Sequence, residues 1–377
     1  MSHKVIFYPV GNGDTSQIIL KNDKRILFDF RHLKKTEEGE GPEINLNKRL
    51  KQELEDSNKT EFDVVAFTHG DKDHIANSTE FFELLHAKKY QGDGRIKIKT
   101  LWVPAAMILE TAPTKDQSEE YVIWRQEARY RLKEGKGIRV FSKPDQLKDW
   151  LKENGLKVSD RKNLITDAGE IAPDFSLEKD GVEFFCHSPF VKHVDDNEEF
   201  RNEAALIFNV RFKVSEEIFD YLAIGDSEWA VLEDIVDKSK AHKREDRLKW
   251  DLLNIPHHCS YKALSDDKGE EETTPKDKVK ELLLSGKEGS LMISSSDPIS
   301  DSTKAYSEKQ PPHIQARKCY ERYLKKVGGS KLLVTMEESN ESNPSPIVIK
   351  VQKQGISVEK LLSKAQSIAI SKPAKAG

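Results

Sequence analysis

Short apolar runs broken by polar turns dominate the chain. VIFYPV (5–10), SQIIL (16–20) and RILFDF (25–30) read as three strands, the first two joined by the GNGD turn at 11–14. FDVVAFT (62–68) is almost continuously apolar, as expected of a strand buried on both faces. LWVPA (101–105), GVEFFCH (181–187), AALIFNVRF (204–212), FDYLAI (219–224) and DLLNI (251–255) continue the series. SLMIS (290–294), KLLVTM (331–336) and PIVIKV (346–351) complete it. Helical spacing appears between these runs. A helix is expected over about 45–55, and others through Tyr121, Trp124, Ala128 and Leu132, and through Leu147, Trp150 and Leu151 before Gly155. Two more hold Trp229, Leu232, Ile235 and Val236, and Ile314, Cys319, Tyr323 and Leu324. Many neighbouring strands are joined too tightly for βαβ crossovers. The pattern therefore predicts an α/β fold of two mixed sheets packed together, with helices outside.

One domain is expected over 1–361, with residues 110–165 as a helical insertion and 266–280 as a charged loop. The polar tail, 362–377, is expected to be flexible. No internal repeat is evident. Charged residues make up 33% of the 377 and the net charge is -4, which argues against gross nucleic-acid electrostatics but leaves room for a local basic groove. Mean hydropathy is -0.67, and no apolar run approaches the roughly 18 residues that a membrane helix needs. The first residues lead almost directly into a strand pattern without the apolar core of a signal peptide. Three scattered cysteines, Cys186, Cys259 and Cys319, do not make a disulfide framework, so a reducing cytoplasm is expected.

The chemistry gathers where strands end. Directly after FDVVAFT come His69, Asp71, Asp73 and His74, in the stretch THGDKDH. Imidazole and carboxylate are ligands of Zn2+, Mn2+ and Fe2+. Alternate positions of an extended segment point one way, so His69, Asp71 and Asp73 can share a face, with His74 brought in by the turn. Asp29 follows RILF, Asp226 follows FDYLAIG, and His257 and His258 follow LLNIP. A single strand-end Asp is an ordinary cap or turn residue. Its recurrence beside the His/Asp cluster makes a convergent metal site the better explanation.

The sequence resembles the metallo-β-lactamase-fold hydrolases from about residue 4 to 350. Their hallmark is His-x-His-x-Asp-His after a strand. This chain has His69-x-Asp71-x-Asp73-His74, a variant similar to the nuclease-type domain of ComEC-type competence proteins. Val10-Gly11-Asn12-Gly13-Asp14, Phe28-Asp29, Ile224-Gly225-Asp226, Ile255-Pro256-His257-His258 with Ser260, and Pro312-His313 agree with it. Cys259 stands where glycine usually follows the paired histidines. The further His ligand often found before the later Asp has no clear match. His187 and His193 lie in that region, and His187 reads as a packed structural residue.

The resemblance implies a four-layer αββα sandwich holding two divalent metal ions, Zn2+ or Mn2+, with Mg2+ possible. His69 and Asp71 would form one site, Asp73, His74 and His257 the other, with Asp226 bridging. Asp14 and Asp29 would orient ligands through hydrogen bonds. Asp73, His258 and His313 would be catalytic, the two histidines by contacting substrate or giving a proton to the leaving group. A carboxylate in place of an imidazole makes the first site harder and shifts preference towards Mn2+ or Mg2+. The expected activity is hydrolysis of a phosphodiester, DNA above all, by a water that the two metals activate. Lys88, Lys89, Arg95, Lys97 and Lys99 are a basic stretch that could meet it, or a solvated surface. Hydrolysis of a small ester, lactone, thioester or cyclic nucleotide is the alternative, with 110–165 capping a small pocket. A non-catalytic partner-binding module is the third reading. No membrane partner is expected.

Overall fold

Two sheets packed face to face carry the apolar runs. The computed structural model describes residues 2–110, 118–190 and 204–359. In chain order the first strands are β1 (His3–Phe7), β2 (Ser16–Ile19), β3 (Arg25–Phe28), β4 (Glu61–Ala66), β5 (Lys97–Pro104), β6 (Ile138–Phe141) and β7 (Ile165–Thr166). They are followed by β8 (Val182–Ser188), β9 (Ile207–Val214), β10 (Glu217–Ile224), β11 (Trp250–Ile255), β12 (Gly286–Ser294) and β13 (Lys331–Val334). β14 (Ile347–Gln352) and β15 (Gly355–Val358) close the series. The first sheet has the order β15-β14-β1-β2-β3-β4-β5-β6-β7, and the second β13-β12-β11-β10-β9-β8. Strands β3 to β7 run parallel, as do β10 to β13, while the remaining pairings are antiparallel, among them the tight hairpins β2–β3, β9–β10 and β14–β15 and the long-range pair β1–β14.

Helices fill the parallel crossovers: α1 (Leu46–Glu55), α2 (Lys72–Ile75), α3 (Ser78–Phe81), α4 (Ala105–Leu109), α5 (Glu119–Glu134) and α6 (Asp145–Glu153) on the first sheet's side. α7 (Trp229–Ala241), α8 (Asp277–Leu283) and α9 (Ile314–Lys326) serve the second. Asn45 caps α1 by accepting from the Lys48 amide (3.0 Å), and α5 starts on Ser118 and stops at the left-handed Gly135.

The alternation along β4 shows why its sequence is continuously apolar. Val64 and Ala66 face the core between the sheets, whereas Val65 faces the outer core beneath α1, α5 and α6. On the second sheet Leu252 faces inward, and Leu253 and Ile255 face Val236, Leu282 and Tyr323 of α7, α8 and α9. The result is the expected four-layer order of helices, sheet, sheet and helices. No described helix is long and apolar enough to cross a membrane.

Residues 110–165 hold more than the expected helices. β6 and β7 extend the first sheet, and Trp124, Ala128 and Leu132 of α5 belong to its outer core. The segment looks polar partly because Glu127 and Arg131 are buried as a pair (2.6 Å), with Glu127 also accepting from the Leu85 and His86 amides. The expected tail, 362–377, and His193 lie outside the described residues.

Candidate metal centre

The carboxyl ends of the parallel strands meet at one place, the usual position of sites in such sheets. Asp29 follows β3, Thr68 and His69 follow β4, Asp226 follows β10, His258 follows β11 and Ser295 follows β12. Asp29 holds a left-handed backbone, φ 54°, which non-glycine residues seldom adopt without a local reason. Here the reason is a three-way contact. Its carboxylate accepts from the Thr68 amide (2.7 Å), the Thr68 hydroxyl (2.6 Å) and His74 Nδ1 (2.8 Å).

That contact fixes two imidazoles. The single Thr68 hydroxyl proton goes to Asp29, so Thr68 Oγ1 accepts from His69 Nδ1, 3.1 Å away. With both Nδ1 atoms carrying protons, the Nε2 atoms of His69 and His74 face inward as ligands. His258 is set the same way, since its Nδ1 donates to the Ser295 carbonyl (2.9 Å). Its Nε2 lies 3.2 Å from Asp73 Oδ2 and 3.3 Å from Asp226 Oδ2, and His74 Nε2 lies 3.2 Å from Asp226 Oδ1.

Two groups of donor atoms result, each with all atoms within 4.8 Å of one another: Asp14, His74, Asp226 and His258, and His69, Asp73 and His74. They share His74. His69 Nε2, His74 Nε2 and Asp226 Oδ1 are buried without a hydrogen-bond partner. Buried polar atoms are rarely left so; His74 and Asp226 belong to one group and His69 and His74 to the other, and such atoms fit divalent cations. The charges agree. Burial would lower the pKa of His74 and His258, but Asp226 outweighs it, aided by Asp29 at His74 and Asp73 at His258, and both are raised. Burial would likewise raise Asp226 and Asp73, but the two histidines hold both below the usual carboxylate range. At Asp14 burial prevails and the pKa is raised. These carboxylates demand positive charge.

Close packing supports the arrangement. A Cβ on Gly225 would meet Thr68 Oγ1 at 3.0 Å, and one on Gly13 would meet the Asp73 carbonyl oxygen at 2.7 Å. Glycine at both positions lets the turn before Asp14 and the end of β10 close on the loop.

The structure redistributes several expected roles. His258, not His257, enters the donor set. His257, His258 and Cys259 have φ of 52°, 50° and 63°, and this left-handed run turns His258 inward. His257 Nε2 stays 3.9 Å from Asp226. Asp14, expected only to orient a ligand, lies within one of the two groups that could hold an ion. Asp71 lies outside both groups, with Oδ2 3.7 Å from His69 Nε2. His313 is buried against Tyr261, whose amide donates to its Nδ1 (3.4 Å), and it too lies outside both groups. His187 packs structurally, its Nε2 donating to the Arg247 carbonyl (3.0 Å). The basic stretch from Lys88 to Lys99 leads into the amino end of β5, away from the carboxyl ends. Thr68 is the role the sequence reading missed. Its only signal is a hydroxyl residue directly before His69.

No family model and no curated protein matches the chain. Solved structures do. A diphosphatase from the PhnP family is 11% identical, covering 89% of this chain and 84% of its own, with a TM-score of 0.31. MEM-A1, a subclass B3 metallo-β-lactamase from a soil metagenome library, is 12% identical over 67% and 76%, with a TM-score of 0.32. Unliganded yeast PDE1 is 12% identical over 88% and 98%, with a TM-score of 0.40. At these identities the likeness is one of fold, and the reading of the site rests on its own geometry.

Proposed function

We propose that the chain is a metal-dependent hydrolase of phosphodiesters, with DNA as substrate. The observation that carries this reading is the pair of donor groups sharing His74, with the Nδ1 sides of His69, His74 and His258 tied off behind them. DNA as the substrate is supported by the His69-x-Asp71-x-Asp73-His74 variant of the motif. Two divalent ions bound there would supply Lewis-acid charge against phosphoryl oxygens and make water nucleophilic near neutral pH.

The protein's residues do the remaining work. Asp14, Asp226 and His258 would hold one ion and His69 and Asp73 the other, with the single free lone pair of His74, on Nε2, completing one of the two sets and Asp71 beside His69. Asp29 and Thr68 keep the imidazoles in register. His257, outside the donor set and partly exposed at 18%, would be the residue to give a leaving oxygen its proton.

The test is cleavage of end-labelled single- and double-stranded DNA by metal-stripped protein resupplied with Mn2+, Mg2+ or Zn2+, with Asp226→Ala as control. Ion-dependent cutting that the control lacks is expected. Intact DNA with every ion, from protein that binds metal, would overturn the DNA reading and turn attention to small esters and cyclic nucleotides.

A further inference from the structure

A second cavity, of about 280 Å3, lies at the edge of the sandwich. It opens where β6, β7 and β8 end and where α7 crosses them. None of its walls belongs to the donor groups described above. From it we infer that the protein has an accessory site for a nucleoside monophosphate, separate from the metal centre.

The walls make three demands on an occupant. The first is for hydrogen bonds. Ser142 is 1% exposed, holds a left-handed backbone at φ 78°, and its hydroxyl lacks a partner. Asp167 pairs with Lys143 through Oδ2 (3.1 Å), while its buried Oδ1 also lacks one. A carboxylate oxygen only accepts, so the occupant must bring N–H or O–H donors. A strained, unsatisfied serine is costly unless something uses it.

The second demand is for an anion. Lys143, Lys238 and Arg244 line the cavity against the single carboxylate of Asp167. The third is for a flat apolar body. Phe185, Pro189 and Ile235 line the same space, and the Arg244 guanidinium lies 5.6 Å over the Phe185 ring, offering a planar surface of its own.

A sugar phosphate satisfies the first two demands but has no flat apolar body. A fatty acid satisfies the anionic and apolar demands but leaves Asp167 Oδ1 without a donor. A nucleoside monophosphate satisfies all three, with base N–H groups towards Asp167 and Ser142 and phosphate towards Lys238 and Arg244. Ligand pockets run from roughly 300 to 1,000 Å3, so this cavity of about 280 Å3, at the lower edge, has room for one nucleotide at most and not for an oligonucleotide.

The site is tested by isothermal titration calorimetry of AMP into the full chain, with adenosine, ribose 5-phosphate and decanoate as comparisons. Lys238 is exposed on α7, so Lys238→Glu leaves the core untouched, and Ser142→Ala removes the unpartnered hydroxyl. AMP should bind wild type at least tenfold tighter than each comparison. Lys238→Glu should weaken it tenfold or more and Ser142→Ala severalfold, while Asp226→Ala should bind as wild type does. Absence of AMP binding, unchanged binding in Lys238→Glu, loss of binding in Asp226→Ala, or tighter binding of decanoate would each overturn the inference. Asp226→Ala separates this site from the proposed hydrolytic centre, so either can fail alone.

Discussion

Asp29 governs how two histidines face the centre, one through a direct hydrogen bond and one through Thr68. Removing such a partner typically costs 10–100-fold in metal affinity. Asp29→Ala should show that loss in competition with a chelating dye. Thr68→Val keeps the shape, removes the hydroxyl that receives His69, and should cost about tenfold. Asp73→Ala and His74→Ala should each lose metal and activity while circular dichroism stays native. Unchanged affinity in Asp29→Ala would mean that the hydrogen bonds do not set ligand orientation. At this scale the sequence was partly legible. His69 and Asp226 stand out because each follows an apolar run, and Asp73 and His74 because they cluster with His69 just beyond one. The exchange of His257 for His258 does not, because three successive left-handed residues are invisible where Cys259 replaces the glycine that would announce them. The Ser295 carbonyl that orients His258 has no side-chain signal at all.

Elements were legible where both faces are buried. β4 and β11 read directly from FDVVAFT and DLLNI, because helices cover the face that the opposite sheet does not. β6 was hidden. Its four residues, IRVF, include Arg139, which looks like a surface residue but is buried and paired with Asp174. β8 carries a prediction of its own. His187, near its end, is 3% exposed, and burial pushes its pKa down to about 4 from the usual 6.5. The unfolded chain takes up a proton as pH falls through about 6.5, while the folded chain stays neutral until about 4. Stability is therefore intact above that window and lost on acidification through it, by up to roughly 1.4 kcal/mol per pH unit from this one group. Urea midpoints should fall across the window, and His187→Gln, which has no proton to take up, should show a shallower slope. An identical slope would assign the acid sensitivity to other groups.

At the scale of the molecule, the fold's contribution is convergence. Asp29, His74, Asp226 and His258 lie far apart in sequence yet follow parallel strands of the two sheets, and Asp14 joins them from the turn between the antiparallel β1 and β2. The two-sheet architecture could be anticipated from tight turns alternating with helical crossovers. The grouping of ligands could not, because it depends on how the sheets face each other. Net charge misleads at this scale as well. The chain carries -4 overall, while Lys143, Lys238 and Arg244 gather at one edge. If the cluster at the strand ends holds two divalent ions, as proposed, they can be counted. The most direct measurement is metal content per chain, by plasma mass spectrometry, after stripping and reloading with Mn2+ or Zn2+. Wild type should retain two ions, and His74→Ala, which removes the Nε2 ligand of one of them, should retain one at most. Wild type that retains none, or His74→Ala that retains two, would contradict the account.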